Sequence, residues 1–318
     1  MILVLRALGV GDLATAVPAL RGLRAAYPDR EVALLAPAWL GPLVDLVGGV
    51  DRLVPLDGLD ADVCWSGPPP TVAVNLHGRG PRSHRLLAAV GPARLVAFSC
   101  PEAGHTDGPE WDGTEHEVRR WCRLLHRYGV PADPDDLALR RPVGVAVPDG
   151  TTVVHPGTKV EAKRWPAHRF AAVAAALGAR GHRVVVTGSA AERDLAGWVA
   201  DRAGLPPGAV LAGRTDLAEL AALVAQARLV VSGDTGVAHL ATGYGTPSVV
   251  LFGPESPQVW GPPPGRPWHR VVHGAGQDCP TADGESTDLR LVSVQVEEVL
   301  SAVDEVERTV RGAGAVAA

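Results

Sequence analysis

The 318-residue chain is poor in the features that mark several large classes of protein. Its four cysteines, Cys64, Cys100, Cys122 and Cys279, lie far apart, with no Cys-x-x-Cys pair. That spacing supports neither a zinc site nor a disulfide framework, so they read as reduced structural thiols and no metal site is expected. No stretch supplies the ~18 uncharged apolar residues of a membrane span. Basic residues are not in excess either. Lys and Arg total 30 against 35 Asp and Glu, a formal net charge of −5, where a nucleic-acid binder would carry the opposite balance. Methionine occurs once, beside abundant Ala, Gly, Arg and Pro, a composition that hints at a GC-rich genome and says nothing of chemistry.

What remains has the balance of a folded soluble protein, 46% hydrophobic and 20% charged, and is long enough for about two domains of ~150 residues. Residues 1–20 might be mistaken for a secretory signal. They lack a basic leading segment, and Asp12 interrupts the apolar run. They read better as a strand, a glycine turn and a helix, which makes the cytoplasm the expected address, with at most peripheral membrane contact.

Short apolar runs then alternate with longer amphipathic ones, the pattern of parallel sheets with crossover helices. In the first half the pattern predicts strands at Ile2–Leu5, Glu31–Ala36, Arg52–Val54 and Val72–Asn75. Helices are expected at Leu13–Ala26, Leu40–Val47, Arg82–Val90 and Glu115–Tyr128, the last stopped by Gly129 and Pro131. The stretch 133–150 is irregular and is the best linker candidate. A second series follows, with strands at Thr152–His155, Arg183–Thr187, Leu229–Ser232 and Ser248–Phe252 and a weaker one at Val210–Leu211. Its helices are expected at Ala167–Arg180, Ala191–Ala203 and Leu217–Gln226. Gly253–Ala282 is rich in loop residues and receives no assignment. Val294–Val310 reads as a closing helix, of a kind that often returns to the first lobe, ahead of a disordered tail. The expected domains are therefore 1–145 and 146–293, with 294–318 as closing helix and tail.

Ligands of open α/β sheets bind at the carboxyl ends of the strands, so chemistry is sought there. The first such end is Gly9-Val10-Gly11-Asp12. Two glycines permit a tight turn and close ligand approach where a helix starts. Asp12 reads either as a helix N-cap or as a catalytic base facing an interdomain cleft. A helix N-terminus stabilises a carboxylate and so weakens it as a base. Such a base still works on a sugar hydroxyl when proton transfer comes late and the electrophile is activated by its leaving group. Gly9, Gly11 and Ala14 also fit a dinucleotide fingerprint, but the next strand ends in Leu35-Ala36-Pro37, without the ribose-binding acid that reading needs.

The second end is His155-Pro156-Gly157-Thr158, followed by Lys163-Arg164-Trp165-Pro166. Small residues, a hydroxyl and adjacent cations suit a diphosphate, with Thr158 donating and Lys163 supplying charge. The competing reading is a surface loop anchored by Trp165, with Pro166 opening a helix. The third end, Ser232-Gly233-Asp234-Thr235-Gly236-Val237-Ala238-His239-Leu240, presents free N–H groups at a helix start to an anion. It reads alternatively as a capped tight turn, and His239 as a hydrogen-bonded core histidine. Glu192, past the turn Gly188-Ser189, is placed to hold ribose hydroxyls or is an ordinary first-turn acid.

Together these segments resemble glycosyltransferase family 9, whose best-known members are ADP-heptose:lipopolysaccharide heptosyltransferases. The resemblance rests on Gly-Val-Gly-Asp with Ala-Val-Pro-Ala-Leu, on Pro-Gly-Thr…Ala-Lys-Arg-Trp-Pro, and on Ser-Gly-Asp-Thr-Gly-Val-Ala-His-Leu-Ala with Pro-Ser-Val-Val-Leu-Phe-Gly-Pro. It implies a GT-B architecture, two Rossmann-like doubly wound α/β domains facing across a cleft. It implies inverting, metal-independent transfer from a nucleotide sugar, with ADP-heptose as donor substrate and no cofactor. Asp12 would take the acceptor proton, and Lys163 and the Asp234-Thr235-Gly236 turn would stabilise the leaving diphosphate. Thr158, Glu192 and His239 complete the implied donor site. Asn75-Leu76-His77-Gly78-Arg79 resembles the acceptor-side loop, so Gly11, His77, Arg79 and Arg82 are expected on the acceptor, with His84 and Arg85 as partners for an anionic one. The acceptor is expected to be a lipopolysaccharide-core-like glycan or a small molecule. The late loop departs from the family in keeping only Cys279 upstream of Asp288-Leu289-Arg290-Leu291. Two other readings stay open: a nucleotide-sugar epimerase of the same architecture, and a non-catalytic sugar-nucleotide-binding protein.

Overall fold

The computed structural model describes residues 1–60, 65, 67–274 and 288–316. The chain divides into two compact units, Met1–Arg140 and Arg141–Ala318. The first unit contains β1 (Ile2–Leu5), α1 (Val10–Thr15), α2 (Val17–Ala26), β2 (Val32–Ala36), α3 (Gly41–Val47), β3 (Arg52–Pro55), β4 (Val72–Asn75), α4 (Arg82–Ala89), β5 (Arg94–Val96) and α5 (Glu117–Arg127). Its five strands are parallel, in the order β3-β2-β1-β4-β5. The second contains β6 (Thr151–His155), α6 (Ala167–Ala179), β7 (Arg183–Val186), α7 (Arg193–Arg202), α8 (Leu217–Gln226), β8 (Leu229–Gly233), α9 (Gly236–Tyr244), β9 (Ser248–Phe252), α10 (Pro257–Trp260), β10 (His269–His273), α11 (Leu289–Ser293) and α12 (Val296–Val316). Its parallel order is β10-β9-β8-β6-β7.

Burial explains the sequence of each strand. The interior strands β1, β2, β4, β6, β8 and β9 are buried along their whole length, so they are near-continuous apolar runs. Edge strands β3, β5, β7 and β10 are partly exposed and mix Arg and His with Val and Leu. Strands β5 and β10 had no counterpart in the sequence reading for this reason. The weak strand expected at Val210–Leu211 is reduced to a single bridge from Val210 to Val186.

The connectivity fixes where chemistry can sit. In the first sheet the order reverses between β1 and β4, paired from Ile2↔Val72 to Leu5↔Asn75. In the second it reverses between β6 and β8, paired from Thr152↔Leu229 to His155↔Ser232. At such a switch point the connections leave in opposite directions and open a crevice at the carboxyl ends. Gly9–Asp12 and the loop after Asn75 lie at the switch point of the first sheet. His155–Thr158 and Ser232–Asp234 lie at that of the second.

Two of the expected helices differ from expectation. The helix expected over Leu13–Ala26 breaks at Ala16, because Pro18 lacks an N–H and sits in the first turn of a second helix. The last helix packs within the second unit: Val299, Val303 and Val306, spaced on one face, enter the core with Phe170, Val173 and Leu177 of α6. Salt bridges from Arg180 to Asp304 and from Arg270 to Glu305, both 2.9 Å, flank that contact. The helix also continues through Val316, into the tail expected to be disordered, while residues 317–318 lie outside the described residues.

Gly22 in α2 tests the packing of the first unit. A Cβ there would lie 2.5 Å from the Pro131 carbonyl oxygen and 3.0 Å from Ala132 Cβ. Alanine favours a helix over glycine by about 0.5–1 kcal/mol, but overpacking a tight contact costs about 1–3 kcal/mol. Gly22→Ala is therefore expected to destabilise the first unit by about 1–2 kcal/mol in urea unfolding. A gain in stability would show that the contact yields.

Candidate active site

In the first unit the chain leaves β1 and enters α1 through Gly9, which is the N-cap. Asp12 is the third helical residue, not the cap. Its Oδ2 reaches back to accept the Gly9 N–H at 3.1 Å. Its Oδ1 lies 3.6 Å from Nη2 of Arg6, and the side chain keeps 29% exposure. A carboxylate held by a helix start and a guanidinium, yet open to solvent on one side, is placed to receive a proton from an incoming hydroxyl. Gly11 lies in the same first turn.

The neighbouring loop is shaped by Asn75 at the end of β4. Its Nδ2 donates to the Gly78 carbonyl at 3.1 Å and to Ser83 Oγ at 2.9 Å, and its Oδ1 accepts the His77 N–H at 3.0 Å. His77 Nδ1 is buried with no hydrogen-bond partner among the described residues. Burial and then the Arg6 charge lower the His77 pKa to about 4, with Asp12 opposing, so the ring is neutral near pH 7. His84 is not a surface ligand for an anion. It is buried, with Nε2 2.8 Å from the Phe98 carbonyl and Nδ1 3.1 Å from Asn75 Nδ2. Arg82 is exposed and paired with Asp60, and Arg85 donates to the Glu102 carbonyl at 2.6 Å. Arg79 is exposed in the loop.

In the second unit the candidate donor residues gather at the ends of adjacent strands. Lys163, after β6, donates from Nζ to Asp234 Oδ2 at 2.8 Å and lies 3.7 Å from Glu255 Oε1. Asp234, after β8, is buried, and its backbone N–H donates to the Leu251 carbonyl at 3.0 Å. His239, one turn into α9, has Nε2 3.8 Å from Asp234 Oδ1. Thr235 is the N-cap of α9, with Gly236 its first residue. The Oγ of Ser232 and Oγ1 of Thr235 are buried and find no partner among the described residues. The Lys163 ammonium, held on Asp234 where β8 runs into the N-terminus of α9, is an arrangement suited to phosphate oxygens.

Glu192 lies on the same side of the sheet, past β7. Its Oε2 accepts from the Ser189 N–H at 2.7 Å and from Ser189 Oγ at 2.8 Å. A Cβ at Gly157 would come within 2.3 Å of Glu192 Cδ. Glycine there lets the carboxylate close onto the Pro156-Gly157-Thr158 turn. Thr158 Oγ1 accepts the Val160 N–H at 3.3 Å and so shapes its own loop. His155 Nδ1 lies 2.9 Å from Thr187 Oγ1, and burial lowers its pKa to about 4 against the attraction of Glu192.

Lys163, Asp234 and His239 are thus brought together, as are Glu192 and the Pro-Gly-Thr turn. Glu255, 3.7 Å from Lys163, comes from the stretch 253–282, where no sequence pattern marks it. The described cysteines, Cys100 and Cys122, are free and buried, and burial pushes the Cys122 thiol up to about 12. Cys64 and Cys279 lie outside the described residues.

The family model for glycosyltransferase family 9 (heptosyltransferase) matches residues 111–283. Lipopolysaccharide heptosyltransferase 2 of Escherichia coli K12 is 26% identical over 296 residues, covering 82% of this chain and 85% of that protein. The crystal structure of a family 9 glycosyl transferase from Veillonella parvula DSM 2008 superposes with a TM-score of 0.80 at 21% identity, covering 96% of each chain. The E. coli heptosyltransferase WaaC with ADP gives 0.72 at 17% identity, covering 96% of this chain and 99% of that one. These structural likenesses show the fold, a GT-B-like pair of parallel five-stranded sheets with helices.

His155 supplies a test of the second site's electrostatics. Its folded pKa, about 4, lies below the ordinary 6.5, so the unfolded chain takes up the proton first. Stability owed to the neutral ring is complete above 6.5 and is lost as pH falls toward 4, at up to about 1.4 kcal/mol per pH unit. In unfolding followed from pH 7 to 4, His155→Gln is expected to show a shallower loss than the parent protein. An equal slope would show that His155 is charged in the folded state.

Proposed function

The chain belongs to glycosyltransferase family 9, and from that premise we propose that it transfers a heptose from ADP-heptose to an acceptor hydroxyl, inverting the anomeric centre without a metal. The observation that carries this reading is the Lys163–Asp234 pair, 2.8 Å apart, set where β8 runs into the N-terminus of α9. The ADP of the E. coli heptosyltransferase structure supports the choice of nucleotide. The name of the E. coli K12 relative supports a lipopolysaccharide-core-like acceptor.

In the proposed reaction the acceptor oxygen attacks the anomeric carbon from the face opposite the diphosphate. The bond from that carbon to the β-phosphate oxygen breaks, and its electron pair leaves with ADP. The acceptor proton passes to Asp12. A carboxylate is a weak base, so transfer follows carbon–oxygen cleavage, and the driving force comes from stabilising the departing diphosphate. Lys163 and the N–H groups that open α9 supply that stabilisation. Asp234 aims the ammonium, and Glu192 takes the ribose hydroxyls. His77, neutral beside Asp12, and Arg79 meet the acceptor.

Asp12→Asn is expected to lower kcat by about 10²–10⁴-fold while leaving ADP affinity unchanged by calorimetry. Lys163→Ala should weaken ADP binding by about 10–100-fold, as expected for charge-assisted hydrogen bonds worth about 1.5–3 kcal/mol. Transfer should persist in excess chelator. Donor consumption with no acceptor present would replace the transferase reading with an epimerase.

A further inference from the structure

The first unit buries a charge cluster behind Asp12 that the transfer reaction as described does not use. Arg6, the residue after β1, is 1% exposed. Its guanidinium spends every edge. Nε donates to the Asp12 carbonyl at 2.9 Å, Nη1 to the Leu76 carbonyl, and Nη2 to Thr15 Oγ1 at 3.2 Å and Glu117 Oε1 at 2.9 Å. The same Nη2 is 3.6 Å from the Asp12 carboxylate. Glu117, from α5, also accepts Trp121 Nε1 at 2.8 Å on Oε1 and Arg120 Nη1 on Oε2. Arg120 is itself tied to the carbonyls of Asp112 and Glu115 at 3.1 and 2.7 Å. The two guanidiniums lie against aromatic rings, Arg6 4.7 Å from the Trp121 centroid and Arg120 4.4 Å from that of Trp111.

We infer that Glu117, acting through Arg6, is a positioning residue for Asp12. This rests on the reading of Asp12 as the base. A buried ion pair is by itself weak support for stability, since apolar replacements of similar shape often do as well. The Arg6 fork, however, joins both walls of the switch point, the Asp12 turn after β1 and the Leu76 carbonyl before His77. Glu117 is the only group among those bonded to Arg6 that carries charge besides Asp12. The charged groups facing the cluster are Arg6 from the end of β1, Asp12 from α1, and Glu117 and Arg120 from α5, two of each sign. His77, in the loop after β4, is neutral. Without the Glu117 carboxylate Arg6 would keep Asp12 as its one anionic neighbour among the described residues, weakening it as a proton acceptor. Arg6 would also lose the bond that sets its tilt.

The test compares Glu117→Gln, Glu117→Asp and Asp12→Asn in the full-length protein, with ADP-heptose, an acceptor and folding checked by near-ultraviolet circular dichroism. Glu117→Gln is expected to lower kcat by about tenfold or more at unchanged donor KM, given the sensitivity of such steps to ångström-scale misplacement. The pH below which turnover falls should move down. Glu117→Asp keeps the charge but lengthens its bond to Arg6, so kcat should fall while the pH profile stays parental. A fully folded Glu117→Gln enzyme with the parental pH profile and kcat overturns the inference. So does a kcat loss that only tracks the unfolded fraction. If Glu117→Gln does not fold, Glu117→Asp decides, and parental kcat in that variant overturns the inference. Asp12→Asn separates the two levels. Full activity there removes the base assignment, whereas an inactive Asp12→Asn beside a parental Glu117→Gln removes only the positioning role.

Discussion

The constraint on which this protein depends is that each of its two sheets is parallel and covered on both faces. Interior strands buried throughout are mostly apolar, and polar side chains within them such as Thr152 and Ser248 are tied to buried histidines rather than open to a ligand. Functional groups are driven to the strand ends, where backbone N–H and C=O groups lose their sheet partners and helices begin. Among those ends, the two switch points combine a crevice with a helix N-terminus. Asp12 and His77 occupy one, and Lys163 and Asp234 the other.

The two sites handle buried charge in different ways, and the difference suits different tasks. In the first unit Arg6 is sealed, its planar fork filled by two backbone carbonyls, a hydroxyl and a carboxylate. Such a group cannot exchange partners without large cost, so it acts as a fixed strut. In the second unit Lys163 is 20% exposed and contacts Asp234 and the more exposed Glu255. An ammonium on a flexible stem can turn toward an arriving phosphate while one carboxylate keeps it nearby. In the proposed reaction the fixed cation would serve placement of a base, and the adaptable one capture and release of an anion.

Much of this was legible in advance. The central strands declared themselves as apolar runs, and Gly9–Asp12, His155–Thr158 with Lys163, and Ser232–His239 stood out as glycine-rich strand ends. Edge strands β5 and β10 did not, because a strand that faces solvent on one side keeps Arg and His that mask its periodicity. Glu255 lay in a stretch with no pattern to place it. His84 looked like an exposed cation beside Arg82 and Arg85, yet it is buried against Asn75 and the Phe98 carbonyl. Charge and spacing alone do not reveal which face of α4 turns inward.

The sequence by itself determined the fold class, the parallel alternation of strands and helices, and the segments that carry chemistry, because these follow from local periodicity and turn chemistry. Only the tertiary structure decided that Asp12 is a third-position carboxylate rather than a cap, that Glu117 lies within reach of Arg6 across 111 positions of chain, and that Gly157 makes room for Glu192. The last two depend on contacts between residues far apart in sequence. Such contacts are set by how whole elements pack against one another, and no local pattern encodes them.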